Sequence, residues 1–121
     1  MNGRRSQGGQ WEKFAESFLN KRGLKTLERN YHSRFGEIDL IMMDRQTLVF
    51  AEVRYRSNSA HGSGAESVTI TKQKRITRAA QRFLQHHQHH ASLACRFDVV
   101  SIGNEEGRTL LNWIPNAFDA V

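Results

Sequence analysis

The stretches G-E-I-D-L-I-M-M-D (36–44) and T-L-V-F-A-E-V-R-Y-R (47–56) decide how this chain folds. Both are rich in β-branched and aromatic residues, and only Arg45 and Gln46 separate them, so they read as the two strands of a β-hairpin. With those two residues as the turn, Asp44 faces Thr47 and every facing pair sums to 91, which sets Asp39 opposite Glu52. Facing Cβ atoms lie about 5 Å apart. Because strand side chains alternate, Glu37, Asp39 and Ile41 share one face, as do Phe50, Glu52 and Arg54 on the partner strand. Two carboxylates therefore converge beside a cation.

Such a pair cannot stay ionised and buried without compensation, since like charge and desolvation both raise carboxylate pKa values. A divalent cation compensates. Hard oxygen ligands such as Asp39 and Glu52 suit Mg2+ or Mn2+, which keep several waters and combine one or two protein carboxylates with substrate phosphate oxygens. This arrangement suits phosphodiester hydrolysis. The same spacing also fits an exposed polar face, with Asp39 and Glu52 solvated and Glu37 paired across the strands with Arg54. Spacing alone supports both.

Further segments carry a resemblance. They are E-x-x-A at Glu12 to Ala15 followed by Phe18-Leu19, the pair Arg29-Asn30, G-E-I-D-L-I at 36–41, V-F-A-E-V-R-Y-R at 49–56, Gly62, Lys72, R-F-D-V-V at 96–100, and Asn116-Ala117-Phe118. The hairpin resembles the D…(D/E)-x-K core of restriction-endonuclease-like nucleases. Over nearly its whole length the chain resembles the YraN family, small bacterial proteins regarded as distant relatives of archaeal Holliday junction resolvases. The resemblance implies an α/β fold, with a mixed sheet between helices and the site where the central strands diverge. It implies metal ligation by Asp39 and Glu52, support from Glu12, and Arg54 at the place of the usual lysine. A guanidinium stays protonated at working pH, so Arg54 can stabilise negative charge but cannot act as a base. Activation of water would then fall to the cation.

Length, composition and charge are compatible with this. A chain of 121 residues with 38% apolar content is the size of one domain, read here as spanning 1–121 with a disordered leader at 1–8. The sequence has no run of about 18 apolar residues to cross a membrane and no signal-peptide segment, so a cytoplasmic protein is expected. Its formal charge of +6 suits a polyanionic partner such as nucleic acid, though a basic surface also serves solubility alone, and the resemblance implies DNA. The single cysteine, Cys95, excludes an internal disulfide and reads as a buried structural thiol.

Two amphipathic helices are expected. Ile76, Ala79, Ala80, Phe83 and Leu84 make an apolar stripe over 72–85, with Thr71 as N-cap. On its flank Lys74, Arg78 and Arg82, with Lys72 and Arg75 nearby and Arg56 at the strand end, offer phosphate contacts or simply a solvated face. In the first helix Trp11, Phe14, Ala15, Phe18 and Leu19 form the stripe, with Glu12 at its margin, Glu16 farther toward solvent and Gly23 as the stop. Strands over 24–31, 96–102 and 108–114 complete the order αβββαββ. A Gly- and Ser-rich segment at 57–70 reads as a mobile loop that could close over nucleic acid. His86 and His90 could chelate a metal only if the second helix continued, and the cluster reads as a polar helix end.

Three functional classes follow. The first is a divalent-metal-dependent DNA endonuclease of the junction-resolvase type, which as a symmetric cutter would need two sites and so a homodimer. The second is a catalytically inactive nuclease-fold module that binds DNA or RNA. The third is an interaction protein whose acidic hairpin only forms ion pairs.

Overall fold

The computed structural model describes residues 3–56 and 68–120, with side chains from residue 9 onward. Its elements are α1 (Gly3–Lys21), β1 (Lys25–Ser33), β2 (Gly36–Asp44), β3 (Thr47–Arg56), α2 (Ile70–His86), β4 (Ala94–Glu105) and β5 (Arg108–Phe118). The order αβββαββ is the expected one, and the sheet is mixed. Its strands lie in the order β1-β2-β3-β4-β5, with β3 and β4 parallel and the other neighbours antiparallel. Helix α2 is the crossover between the two parallel strands.

The two helices cover opposite faces. Ile41, Leu48, Phe50, Phe97 and Val99 pack against Ile76, Ala79, Ala80 and Phe83 of α2, whereas Leu40, Met42, Val49, Ala51, Val100 and Ile102 pack against Ala15 and Leu19 of α1. This is why Leu48 to Ala51 form an unbroken apolar run: a strand covered on both sides has no solvent face. Residues 57–67, most of the segment read as a closing loop, lie outside the described residues.

Several expectations need correction. The helix α1 starts at Gly3, so backbone within the supposed leader is helical. The buried arc of that helix is rotated toward its glutamates: Ala15, Glu16 and Leu19 are buried while Phe14 is 43% exposed. The rotation follows from β1, where Arg29 and Thr26 both hydrogen-bond the Glu16 carboxylate and draw it against the sheet. Cys95 is exposed, because burial along β4 begins only at Phe97. The N-cap of α2 is Thr69, whose side chain accepts the Lys72 N–H at 3.2 Å. The helix ends at His86, so His86 and His90 do not share a helical face, and the His87 ring instead stacks on Phe83 at 4.0 Å.

Strand β5 continues through Pro115, which the sequence reading placed beyond it. A proline is tolerated there because β5 is a sheet edge and the register shifts between Phe97 and Val99. Asp98 fixes this irregularity. Its carboxylate accepts Arg96 Nε at 3.0 Å, Trp113 Nε1 at 2.9 Å and the Asn116 N–H at 2.9 Å, and Arg96 reaches on to Asp44 at 2.9 Å. Asp98 is 1% exposed, so its removal leaves several donors unpaired in the interior. Asp98→Ala is expected to lower the unfolding free energy by about 3 kcal/mol in urea denaturation. A loss below about 1 kcal/mol would show that the clasp is not structural.

Candidate functional site

The hairpin follows the 91 register from Asp44↔Thr47 to Leu40↔Ala51 and then parts. Strand β3 continues along β4 as far as Arg56↔Gly103, while β2 turns away with β1. Asp39 and Glu52 are therefore not a ladder pair. Instead the Asp39 carboxylate fills the gap, its Oδ2 accepting the Val53 N–H at 2.8 Å. Strict alternation also fails on β2, since Ile38 and Ile41 both pack on the α2 side. The break coincides with Asn30, which has φ 50° and lies between the registered pairs Arg29↔Leu40 and Tyr31↔Ile38. Glu37, expected near Arg54, is held by His32 across the β1 and β2 pair at 3.0 Å.

The fork opens into a cleft of about 580 Å³ lined by Glu37, Asp39, Glu52, Lys72, Arg75 and the β1–β2 turn. Local structure places each wall. Ser33 Oγ accepts the N–H groups of Phe35 and Gly36 and donates to the Gly36 carbonyl, which locks that turn. Gly36 then approaches α2 closely: a Cβ there would stand 3.1 Å from Arg75 Cβ and 3.2 Å from its carbonyl oxygen. On the opposite wall, the Thr69 cap and a 2.9 Å bond from Gln73 Nε2 to the Val68 carbonyl fix the first turn of α2. That turn sends Lys72 Nζ to within 2.8 Å of Glu52 Oε1.

Two carboxylates, Asp39 and Glu52, line this space, and Glu12, from α1, lies near enough for its charge and that of Asp39 to act on each other. Burial, and next the charge of Asp39, push the Glu12 carboxyl up to about 7. The same two causes push Glu52 up to about 7 against the pull of Lys72 and Arg54. Burial raises Asp39 as well, opposed by the Val53 N–H and by Lys72. The cluster is short of positive charge. Among the described residues no group of three or more His, Cys, Asp or Glu side chains is arranged to hold a metal ion. Asp39 and Glu52 are the two oxygen donors that a hard cation would take there, the rest of its shell coming from water or a ligand.

Of the nine residues singled out from sequence, Asp39, Glu52 and Lys72 line the cleft, Glu12 lies near enough for the charge of Asp39 to act on it, and Arg54 near enough for its charge to act on Glu52. Arg78 and Arg82 line a second hollow that shares Arg34 and Phe35 with the first. Lys74 lines neither hollow, and Arg56 closes β3 at its pairing with Gly103. Sequence reasoning missed Arg34 as a wall residue, and it named Lys72 and Arg75 only as neighbours of the basic ridge, not as residues of the cleft. The pairing of Lys72 with Glu52 comes from where the first turn of α2 meets β3. No helix among the described residues is long and apolar enough to cross a membrane.

A family model described as "Uncharacterised protein family UPF0102" matches residues 11–102. Similar proteins include the UPF0102 protein of Pseudomonas syringae pv. syringae, 47% identical over 97% of this chain and 96% of its own length. That of Nitrosococcus oceani is 47% identical over 94% of this chain and 92% of its own. That of Aeromonas hydrophila is 50% identical over 93% and 85%.

The raised carboxyl groups bind protons in the folded chain that the unfolded chain has already released between 4.5 and about 7. Their contribution to stability is thus present at the acid end of that window and lost as pH rises through 7. In a chelator, the stability of the wild type relative to Glu52→Gln should fall over this range in thermal-shift measurements, and Mg2+ should restore more of it at pH 8 than at pH 5. A difference that does not change with pH would mean that Glu52 is not buried beside like charge.

Proposed function

The chain belongs to the UPF0102 family, and we propose that its cleft is the active site of a divalent-metal-dependent DNA endonuclease. The observation that carries this reading is the meeting of Asp39 and Glu52 at the fork of β2 and β3, with Lys72 on Glu52. Asp39 and Glu52 would hold Mg2+ or Mn2+, which when bound supplies charge stabilisation at a phosphoryl oxygen and a lowered pKa for water. Glu12, raised to about 7 by burial and by the charge of Asp39, would hold a proton beside that carboxylate at neutral pH. The Val53 N–H fixes the other side of Asp39.

Lys72 supplies the ammonium that the sequence reading sought at position 54. Unlike a guanidinium, a lysine amine can exchange a proton as well as stabilise charge. The Arg54 charge reinforces Glu52 from the strand itself. From the cleft, Arg34, Arg75, Arg78 and Arg82 extend a basic path along α2 that suits a phosphate backbone. The reading places the protein in the cytoplasm with DNA as partner, and symmetric cutting of a junction would add a second copy. Arg54 at the usual lysine position favours the second reading, a nuclease-fold module that binds DNA or RNA without cutting.

The test compares variants on labelled single-stranded, duplex, flapped and four-way-junction DNA in Mg2+ and in Mn2+, scoring cleavage and binding. Asp39→Ala should abolish cutting. Lys72→Met should slow it by about 100-fold or more, as loss of a charge-stabilising group does, while Lys74→Ala should leave the rate within a few-fold. Cutting by Asp39→Ala at the wild-type rate contradicts the assignment, and binding without cutting in either metal replaces it with the recognition module.

A further inference from the structure

We propose that Trp11, Phe14 and Tyr55 form a stacking platform for an unpaired nucleobase beside the cleft. The inference rests on the reading of the cleft as a nucleic-acid site and narrows its substrate to DNA in which duplex meets single strand. The Trp11 and Tyr55 rings lie parallel, with centroids 4.3 Å apart and planes 8° apart. Phe14 meets Trp11 edge to face at 6.3 Å and 72°. Phe14 and Tyr55 are 43% and 41% exposed, so the group presents aromatic surface to solvent.

Its position gives the surface a chemistry. Trp11 directly precedes Glu12, on which the charge of Asp39 acts, and Tyr55 directly follows Arg54, whose charge acts on Glu52. Val53 packs on the α1 side of the sheet, and Tyr55, stacked on Trp11 of α1, continues that side. Glu52 faces Lys72 of α2 on the other side. The rings and the carboxylates thus flank the same few residues at the end of β3 from opposite sides of the sheet, and a strand with its phosphate in the cleft would have to pass the end of β3 to lay a base on the rings. The basic path along α2 runs from the cleft past Arg34 and Phe35.

Every base has a π face, and exposed aromatic rings bind bases with little regard to sequence. Paired bases inside a duplex hide those faces. A platform of this kind therefore rewards unpaired nucleotides at a flap, fork or frayed end, while the arginines of the basic path hold the duplex through its phosphates.

The experiment measures binding alone, in a chelator so that no cutting occurs. Fluorescence anisotropy compares a blunt duplex, the same duplex with a short single-stranded arm, and that duplex with the arm made abasic. Wild type should prefer the base-bearing arm, and the abasic arm should lose the preference. Phe14→Ala and Tyr55→Ala should each reduce it by about tenfold, with Tyr55→Phe retaining it, and blunt-duplex affinity should stay nearly constant. Because Tyr55 also packs on α1, thermal melting identifies any variant that fails to fold, and the exposed Phe14 then carries the test. Equal binding of the two arms, or an unchanged preference in Phe14→Ala and Tyr55→Ala, overturns the platform. Arm preference without metal-dependent cutting would remove the endonuclease reading and leave the platform standing, whereas cutting without arm preference would do the reverse.

Discussion

A single hydrogen bond sits at the hinge of this structure: the Val53 N–H on Asp39 Oδ2, at 2.8 Å. Down to Leu40↔Ala51 the two central strands exchange ordinary ladder bonds. Beyond that pair β2 follows β1 and β3 follows β4, and the backbone donor exposed by the parting must find an acceptor. Asp39 provides it. The space where the strands part is the cleft that Asp39, Glu52 and Lys72 line.

That geometry carries an electrostatic cost that the fold only partly offsets. Three carboxylates enter a region poor in water, and each is pushed upward first of all by its burial. One ammonium at 2.8 Å, a guanidinium on the same strand and the N-terminal turn of α2 provide the compensation. Proteins keep such clusters where function requires them, because an apolar replacement is often as stable or more so. The contrast with Asp98 is instructive. That buried carboxylate receives Arg96, Trp113 and the Asn116 N–H, so it serves the scaffold, whereas the cleft carboxylates remain short of positive partners.

How much of this was legible from sequence depended on the range of the interaction. The hairpin, its turn at Arg45-Gln46 and its register were legible because two apolar runs with a two-residue gap admit few pairings. The convergence of Asp39 and Glu52 was also visible, though as facing ladder residues rather than as the lips of a fork. Nothing local to either strand announces the divergence, which arises from the competing pairings with β1 and β4. The rotation of α1 that buries Glu16 and exposes Phe14 was hidden for the same reason: periodicity locates an apolar stripe, but Arg29 and Thr26 on another element decide which flank turns inward. Lys72 was legible as a cation at the start of the second helix, but its ion pair with Glu52 was not, because nothing local to the helix sets where its first turn meets the strands.

The central claim is that Asp39 and Glu52 form a cation site because the strands part around them. Titration of the protein with Mn2+, followed by electron paramagnetic resonance of the free ion, tests it without reference to any substrate. The account predicts Mn2+ binding near neutral pH that is lost in both Asp39→Asn and Glu52→Gln while each variant remains folded. Binding that survives in both variants, or no binding by the wild type, would contradict it.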